Sequence, residues 1–210
     1  MTADGQVPRL RGPRPGPRGT PRTAEPRKSS EEDFAMTATL TRIPGAVWNT
    51  DVSKDSLRSG LAVFPTGVVA VSGHVDGHPE VMVSSSFGVG ISWEPALVSF
   101  SAQNTSRTWP RLRRAETIGI SLLAEDQAHL CRQLASRDGD RFAGVDVHAS
   151  PAGAPLLEGS SLWLETRLHA EVPAGDHTVV LLEVTGFADH TDDFPPATLH
   201  RNLFHGLRGL

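Results

Sequence analysis

The pattern of apolar and polar positions changes character several times along the chain, and each change predicts an element. Leu57, Leu61 and Phe64 recur at i, i+4 and i+7, the spacing of one helical face, and Pro65 ends the helix they predict. Gly67 then allows a backbone conformation or a close approach that a side chain would block. Val68 to Val75 reads as a strand, Asp76-Gly77 as a hairpin turn, and Pro79 to Phe87 as its antiparallel return. Gly88 and Gly90 are expected to loosen the chain, and Trp93-Glu94-Pro95 to turn it before a strand from Ala96 to Ser101. Ser106 or Thr105 is placed to cap a short helix through Trp109, Leu112 and Arg113, with Pro110 in the first turn, where amides lack intrahelical partners. A strand from Thr117 to Leu123 follows, then a helix over about Glu125 to Arg137 with Leu130 and Leu134 inward.

Asp138 to Gly159 reads as loop. The cleanest alternation comes next, with Leu162, Leu164, Thr166, Leu168, Ala170 and Val172 on one face and Trp163, Glu165, Arg167, His169 and Glu171 on the other. Pro173-Ala174-Gly175-Asp176 turns the chain, His177 to Ala188 returns as the partner strand, and a loop and short closing element follow. Many strands of moderate length, hairpin turns and few helices predict a mainly β fold, an antiparallel barrel.

Residues 1–35 carry no apolar period. Their mixture of Pro, Gly and Arg cannot offset its ordering entropy by burial, so a disordered Pro/Arg-rich tail is expected, with the folded domain over 36–210. Met36 also offers a second, more ordinary N-terminus. At 210 residues the chain suits one well-buried core. A formal net charge of -4 provides no basic field, so nucleic acid is not an expected partner. The single cysteine, Cys131, precludes an internal disulfide and suits a reducing compartment, and no apolar run is long enough to span a membrane. A soluble, cytoplasmic protein is expected.

Two polar clusters change this picture. Ser84-Ser85-Ser86 interrupts an otherwise apolar strand, and three consecutive hydroxyls need partners. Gln103-Asn104-Thr105-Ser106-Arg107-Thr108 lies where a strand hands over to a helix; helix amides, hydroxyls and one guanidinium there suit a phosphate. Taken singly, the first cluster also fits a turn and the second an ordinary N-cap beside a surface arginine. No Gly-x-Ser-x-Gly elbow surrounds the serines, and Trp93 stands where a dinucleotide fingerprint starting at Gly88 needs its third glycine. His74, Asp76 and His78 flank a turn without further ligands nearby, and His190, His200 and His205 are dispersed, so no metal is expected. Gly175-Asp176-His177-Thr178 puts a histidine at a strand mouth, where it can donate to a carbonyl or carboxamide.

Together these residues resemble the flavin reductase family, whose FMN-binding domain is a split β-barrel. The resemblance runs from about Asp55 to Phe204 and rests on six short motifs in order: Phe64 to Val68, Met82 to Phe87, Ser106 to Thr108, Asp140 to Phe142, Gly153 to Leu157, and Gly175 to Thr178. It implies a homodimer that binds FMN, or uses FMN or FAD as a substrate, and takes hydride from NADH or NADPH, as the reductase component beside a separate monooxygenase. It implies further that Val83, Ser84, Ser85 and Ser86 run along the isoalloxazine edge toward the phosphate tail. The segment from Ala102 through Asn104, Ser106 and Arg107 to Thr108 would hold the ribityl phosphate, Thr66 would lie beside the ring, and His177 would contact the nicotinamide. The chain departs from the family at Val83, often Thr, and at His200 to Phe204, where an aromatic Phe-x-Gly-x-Tyr ending is common; it has no Tyr at all. Two other readings stay open: a flavin-binding barrel without reductase turnover, and a barrel for another ligand such as haem.

Overall fold

The computed structural model describes residues 48–207. The tail expected over 1–35, and residues 36–47 of the domain expected over 36–210, lie outside the described residues, as does Met36. Asn49 onward forms one unit. Its elements are α1 (Lys54–Leu61), β1 (Thr66–Gly67), β2 (Val69–Val75), β3 (His78–Ser84), β4 (Gly88–Trp93), β5 (Ala96–Gln103), α2 (Trp109–Leu112) and β6 (Ile118–Leu122). A 3-10 turn (Glu125–His129) leads to α3 (Leu130–Leu134), β7 (Val147–Ala149), β8 (Pro155–Leu157), β9 (Leu162–Ala174), β10 (His177–Asp189), β11 (Ala197–His200) and β12 (Leu203–Gly206).

Seven strands form one antiparallel sheet in the order β3-β2-β6-β9-β10-β5-β4. The sheet curls until strands near its two edges meet. Beyond the end of β3, the Ser86 hydroxyl accepts from the Ser101 amide of β5 at 2.9 Å and faces its carbonyl at 3.4 Å, in place of a backbone ladder. This is the mainly β antiparallel barrel that the strand pattern predicts, of the split type that the family resemblance implies.

β2 explains the curl in miniature. Val69 and Val71 enter the inner core with Phe100, Trp109, Ile118, Ile120, Val180 and Leu182. Val68, just before the strand, and Ala70 face the other way, into an outer core with Val81, Leu123, Leu134 and Leu157. Burial on both faces is why this stretch reads as a continuous apolar run. Gly119 on β6 permits the second layer to approach, because a Cβ there would overlap the Pro155 carbonyl oxygen. Gly67 serves a milder version of the same purpose, its side-chain position lying 3.1 Å from Leu122.

Four expectations are corrected. The first helix stops at Leu61, and its apolar residues face outward: Leu57 and Leu61 are exposed, as is Phe64 beyond the helix end. Gly88 and Gly90 do not loosen the chain but lie within β4, in an irregular register with β5. The helix expected over Glu125 to Arg137 ends at Leu134, where the Ser136 hydroxyl bonds the Asp138 backbone and offers an alternative to further helix. The alternation in β9 breaks at His169, an extra residue between the pairs Leu168↔Leu182 and Ala170↔Leu181. Past this bulge the faces exchange, so Val172 is exposed and Glu171 takes the Trp109 indole N–H at 2.8 Å.

Candidate functional site

The meeting of β3 with β5 leaves a cavity of about 610 Å³ beside it, lined by Val83, Ser84, Ser85 and Ser86 from one side and Ser101, Gln103, Thr105, Ser106, Arg107 and Thr108 from the other. Arg111, Arg137 and Arg141 complete its polar wall, and His177 stands at its margin. A second cavity of about 890 Å³ adjoins it and shares Ser85, Gln103 and His177. Thr66 lies there, with the apolar face of α1 and the Arg201-Asn202 tip of the β11–β12 hairpin. The two clusters read from the sequence are therefore brought together.

The three serines divide their work. The Ser84 and Ser86 hydroxyls lie 3.0 Å apart, Ser84 accepts from the Ser86 amide, and Ser86 binds Ser101. These two hydroxyls hold the seam of the barrel. Ser85 has no side-chain hydrogen bond among the described residues and faces both cavities, so it is the hydroxyl left for a ligand.

The second cluster divides likewise. Ser106 accepts the Trp109 amide at 3.1 Å just ahead of α2, whose N-cap position is taken by Thr108 and not by Ser106 or Thr105, and it keeps its own proton free to donate. Trp109 holds that amide in place, its ring packed edge-on against Phe100 with centroids 5.1 Å apart. Arg107 is exposed and forms no ion pair among the described residues, whereas Arg111 is committed to Glu80 through bonds of 2.6 and 2.9 Å. That partnership holds the Glu80 carboxyl below the usual carboxylate range. Thr108 is buried and accepts from Arg141. Two residues expected in the site stand behind it. Ala102 points into the inner core, since period-2 alternation puts Ser101 and Gln103, not Ala102, on the cavity side. Asn104 instead pins the Gly175 turn, donating to the Gly175 carbonyl at 3.1 Å and accepting from Thr178 at 3.0 Å.

Through that pin the β9–β10 turn is fixed to the end of β5. His177 pairs with Gln103 across the strands, and its Nδ1 lies 2.7 Å from the Asp176 carboxylate. The hydrogen bond, then the charge, from His177 lower the Asp176 pKa. The other ring nitrogen, Nε2, has no hydrogen-bond partner among the described residues. Sequence reasoning placed Gln103 in the second polar cluster but missed Asp176 in this role, together with Ser101, Arg111, Arg137 and Arg141 as lining residues.

Elsewhere, Asp76 binds Arg114 at 2.9 Å and His74 meets the Gly153 carbonyl; among the described residues no group of three or more His, Cys, Asp or Glu side chains is arranged to hold a metal ion. Burial pushes the Cys131 thiol up, away from the reactive thiolate. Among the described residues no helix is long and apolar enough to cross a membrane.

The fold and site define a curled antiparallel barrel with a hydroxyl- and guanidinium-lined cavity at its seam, and comparison with known proteins narrows the class. The model of the flavin reductase like domain matches residues 61–208, and the chain belongs to that family. A flavin reductase of Pseudomonas putida is 31% identical over 155 residues, covering 73% of this chain and 91% of that protein. The flavin-dependent monooxygenase reductase subunit HsaB of Rhodococcus jostii is 33% identical over 163 residues, covering 78% and 83%. Among solved structures, the NADH:FAD oxidoreductase SgcE6 of Streptomyces globisporus, in complex with NAD and FAD fragments, superposes with a TM-score of 0.71 at 27% identity, covering 78% of this chain and 98% of that one.

Proposed function

We propose that this chain is an NAD(P)H-dependent flavin reductase that delivers hydride to FMN, with FAD a second acceptor, as the reductase component of a two-component monooxygenase. The observation that carries the reading is the pair of joined cavities: one lined for a phosphate, the other more apolar, with Ser85, Gln103 and His177 at their junction. Hydroxyls and guanidinium groups are the donor set a flavin phosphate requires, so the residues present fit the group. Ser106 and Arg107 would hold the phosphate, with Thr105 beside them, while Val83, Ser85 and Thr66 would border the ring. A bound flavin supplies the hydride-accepting ring; the protein's task is to juxtapose two planar molecules and exclude competing chemistry. No nucleophile is needed for that. His177, fixed through Asp176, is positioned to donate a hydrogen bond from Nε2 to the nicotinamide carboxamide when the ring carries that proton.

Replacing His177 with alanine is expected to raise the KM for NADH about tenfold, the loss of one well-placed hydrogen bond, with the FMN Kd nearly unchanged. Steady-state kinetics beside a flavin titration separates the two. A large loss of flavin binding would remove His177 from this role.

The same reading includes a homodimer. Its support is apolar surface that a lone chain leaves to water: Trp93 is 82% exposed, Phe187 76% and Val89 72%, in addition to the outward face of α1. A solution mass near twice 22.5 kDa is expected by light scattering, and a mass of one chain would count against the dimer. The chemistry draws on reduced nicotinamide and suits a cytoplasmic setting, as does the single cysteine. Fractionation of the expressing cell tests this; recovery outside the cytosol would reject it.

A further inference from the structure

The hairpin joining β11 to β12 turns through Arg201 and Asn202, both with positive φ, 51° and 62°. A two-residue turn of this kind favours Asn-Gly, and a long side chain at its first position is strained. Strain of that sort persists where the surroundings hold it, and here the Arg201 amide donates to the Ala62 carbonyl at 2.7 Å, tying the tip to the end of α1. Arg201 lines the larger cavity together with Lys54 and Arg58 from α1. None of the three forms a salt bridge within 4.0 Å among the described residues. The one carboxylate lining the same cavity, Asp176, is engaged by His177 and feels the Lys54 charge only at longer range, which leaves Arg58 and Arg201 the freer cations.

Three cations without salt bridges around an apolar-floored cavity that opens on His177 describe a site for a planar molecule with a multiply charged tail. We infer that Lys54, Arg58 and Arg201 bind the pyrophosphate of the nicotinamide dinucleotide, with Arg201 as the principal contact. This rests on the reductase reading and adds to it the residues that grip the hydride donor at the end remote from its ring. The strained turn is then the means of aiming a guanidinium into the cavity, and the tie to Ala62 keeps the three cations on one rim.

The test uses ADP-ribose, which carries the pyrophosphate and cannot donate hydride, titrated calorimetrically into FMN-loaded protein. Wild-type protein is expected to bind it, and Arg201→Asn to bind it about tenfold more weakly or worse, as loss of a charge-assisted contact implies. Asn tolerates the positive φ, so the variant's Tm is expected to equal or exceed that of the wild type, which a merely structural role would not produce. Arg58→Gln is expected to weaken binding in the same direction, with the FMN Kd unchanged in both variants. Absent binding by wild-type protein, or equal binding by Arg201→Asn, overturns the assignment. Binding of ADP-ribose without NADH oxidation by the wild type would instead reject the reductase reading and leave the pyrophosphate site standing.

Discussion

Replacing Ser106 and Arg107 together with alanine is expected to weaken FMN binding by about 2–4 kcal/mol, roughly 30- to 1000-fold in Kd. The expectation follows from how each side chain is otherwise occupied. Arg107 has no carboxylate partner among the described residues, so its charge is available to a phosphate, unlike that of Arg111, which Glu80 neutralises. Ser106 spends its lone pair on the Trp109 amide and keeps a proton to give. Its loss also removes that hydrogen bond, for which about 1 kcal/mol of stability is the ordinary cost. Fluorescence titration of FMN, done well below the unfolding midpoint, isolates the binding loss. An unchanged Kd would move the phosphate away from this wall, toward Arg137.

Arg141→Ala is expected to cost about 2–4 kcal/mol of stability and to lower flavin affinity with it. The guanidinium reaches three acceptors on separate segments: the Val81 carbonyl of β3 at 2.6 Å, the Thr108 hydroxyl before α2 at 2.9 Å, and the Ser136 carbonyl after α3 at 2.7 Å. Truncation leaves those acceptors without their partner and frees the wall that carries Ser106 and Arg107. Lysine is expected to restore little, because one ammonium cannot reproduce the planar fork that spans three directions. Urea unfolding measures this as a fall in midpoint at constant slope. A change under about 0.5 kcal/mol would mean that the cavity wall stands without Arg141.

Much of this architecture is legible in the residues. The hairpins at Asp76-Gly77 and Gly175-Asp176 announce themselves through their turn chemistry, and the double-faced burial of β2 through its unbroken apolar run. Both polar clusters were visible as interruptions of pattern. Local alternation would also have placed Ser101 and Gln103 on the cavity side in preference to Ala102, since Phe100 and Ala102 share the buried face. Other features depend on distance along the chain. Arg141 meets an acceptor 60 residues away, the seam at Ser86 closes only when the sheet curls, and the His169 bulge is set by pairing with β10. The outward face of α1 has a different cause: amphipathic spacing shows that one side is apolar but not what that side meets, and here it borders a cavity.

The central claim is that the two joined cavities bring a reduced nicotinamide and a flavin together. The most direct measurement is the rate of NADH or NADPH oxidation by purified protein, followed at 340 nm with and without added FMN. The account predicts little oxidation without flavin and a saturable, FMN-dependent acceleration with it. Saturable FMN binding with no acceleration by either nicotinamide would contradict the claim and leave a flavin-binding barrel without reductase turnover.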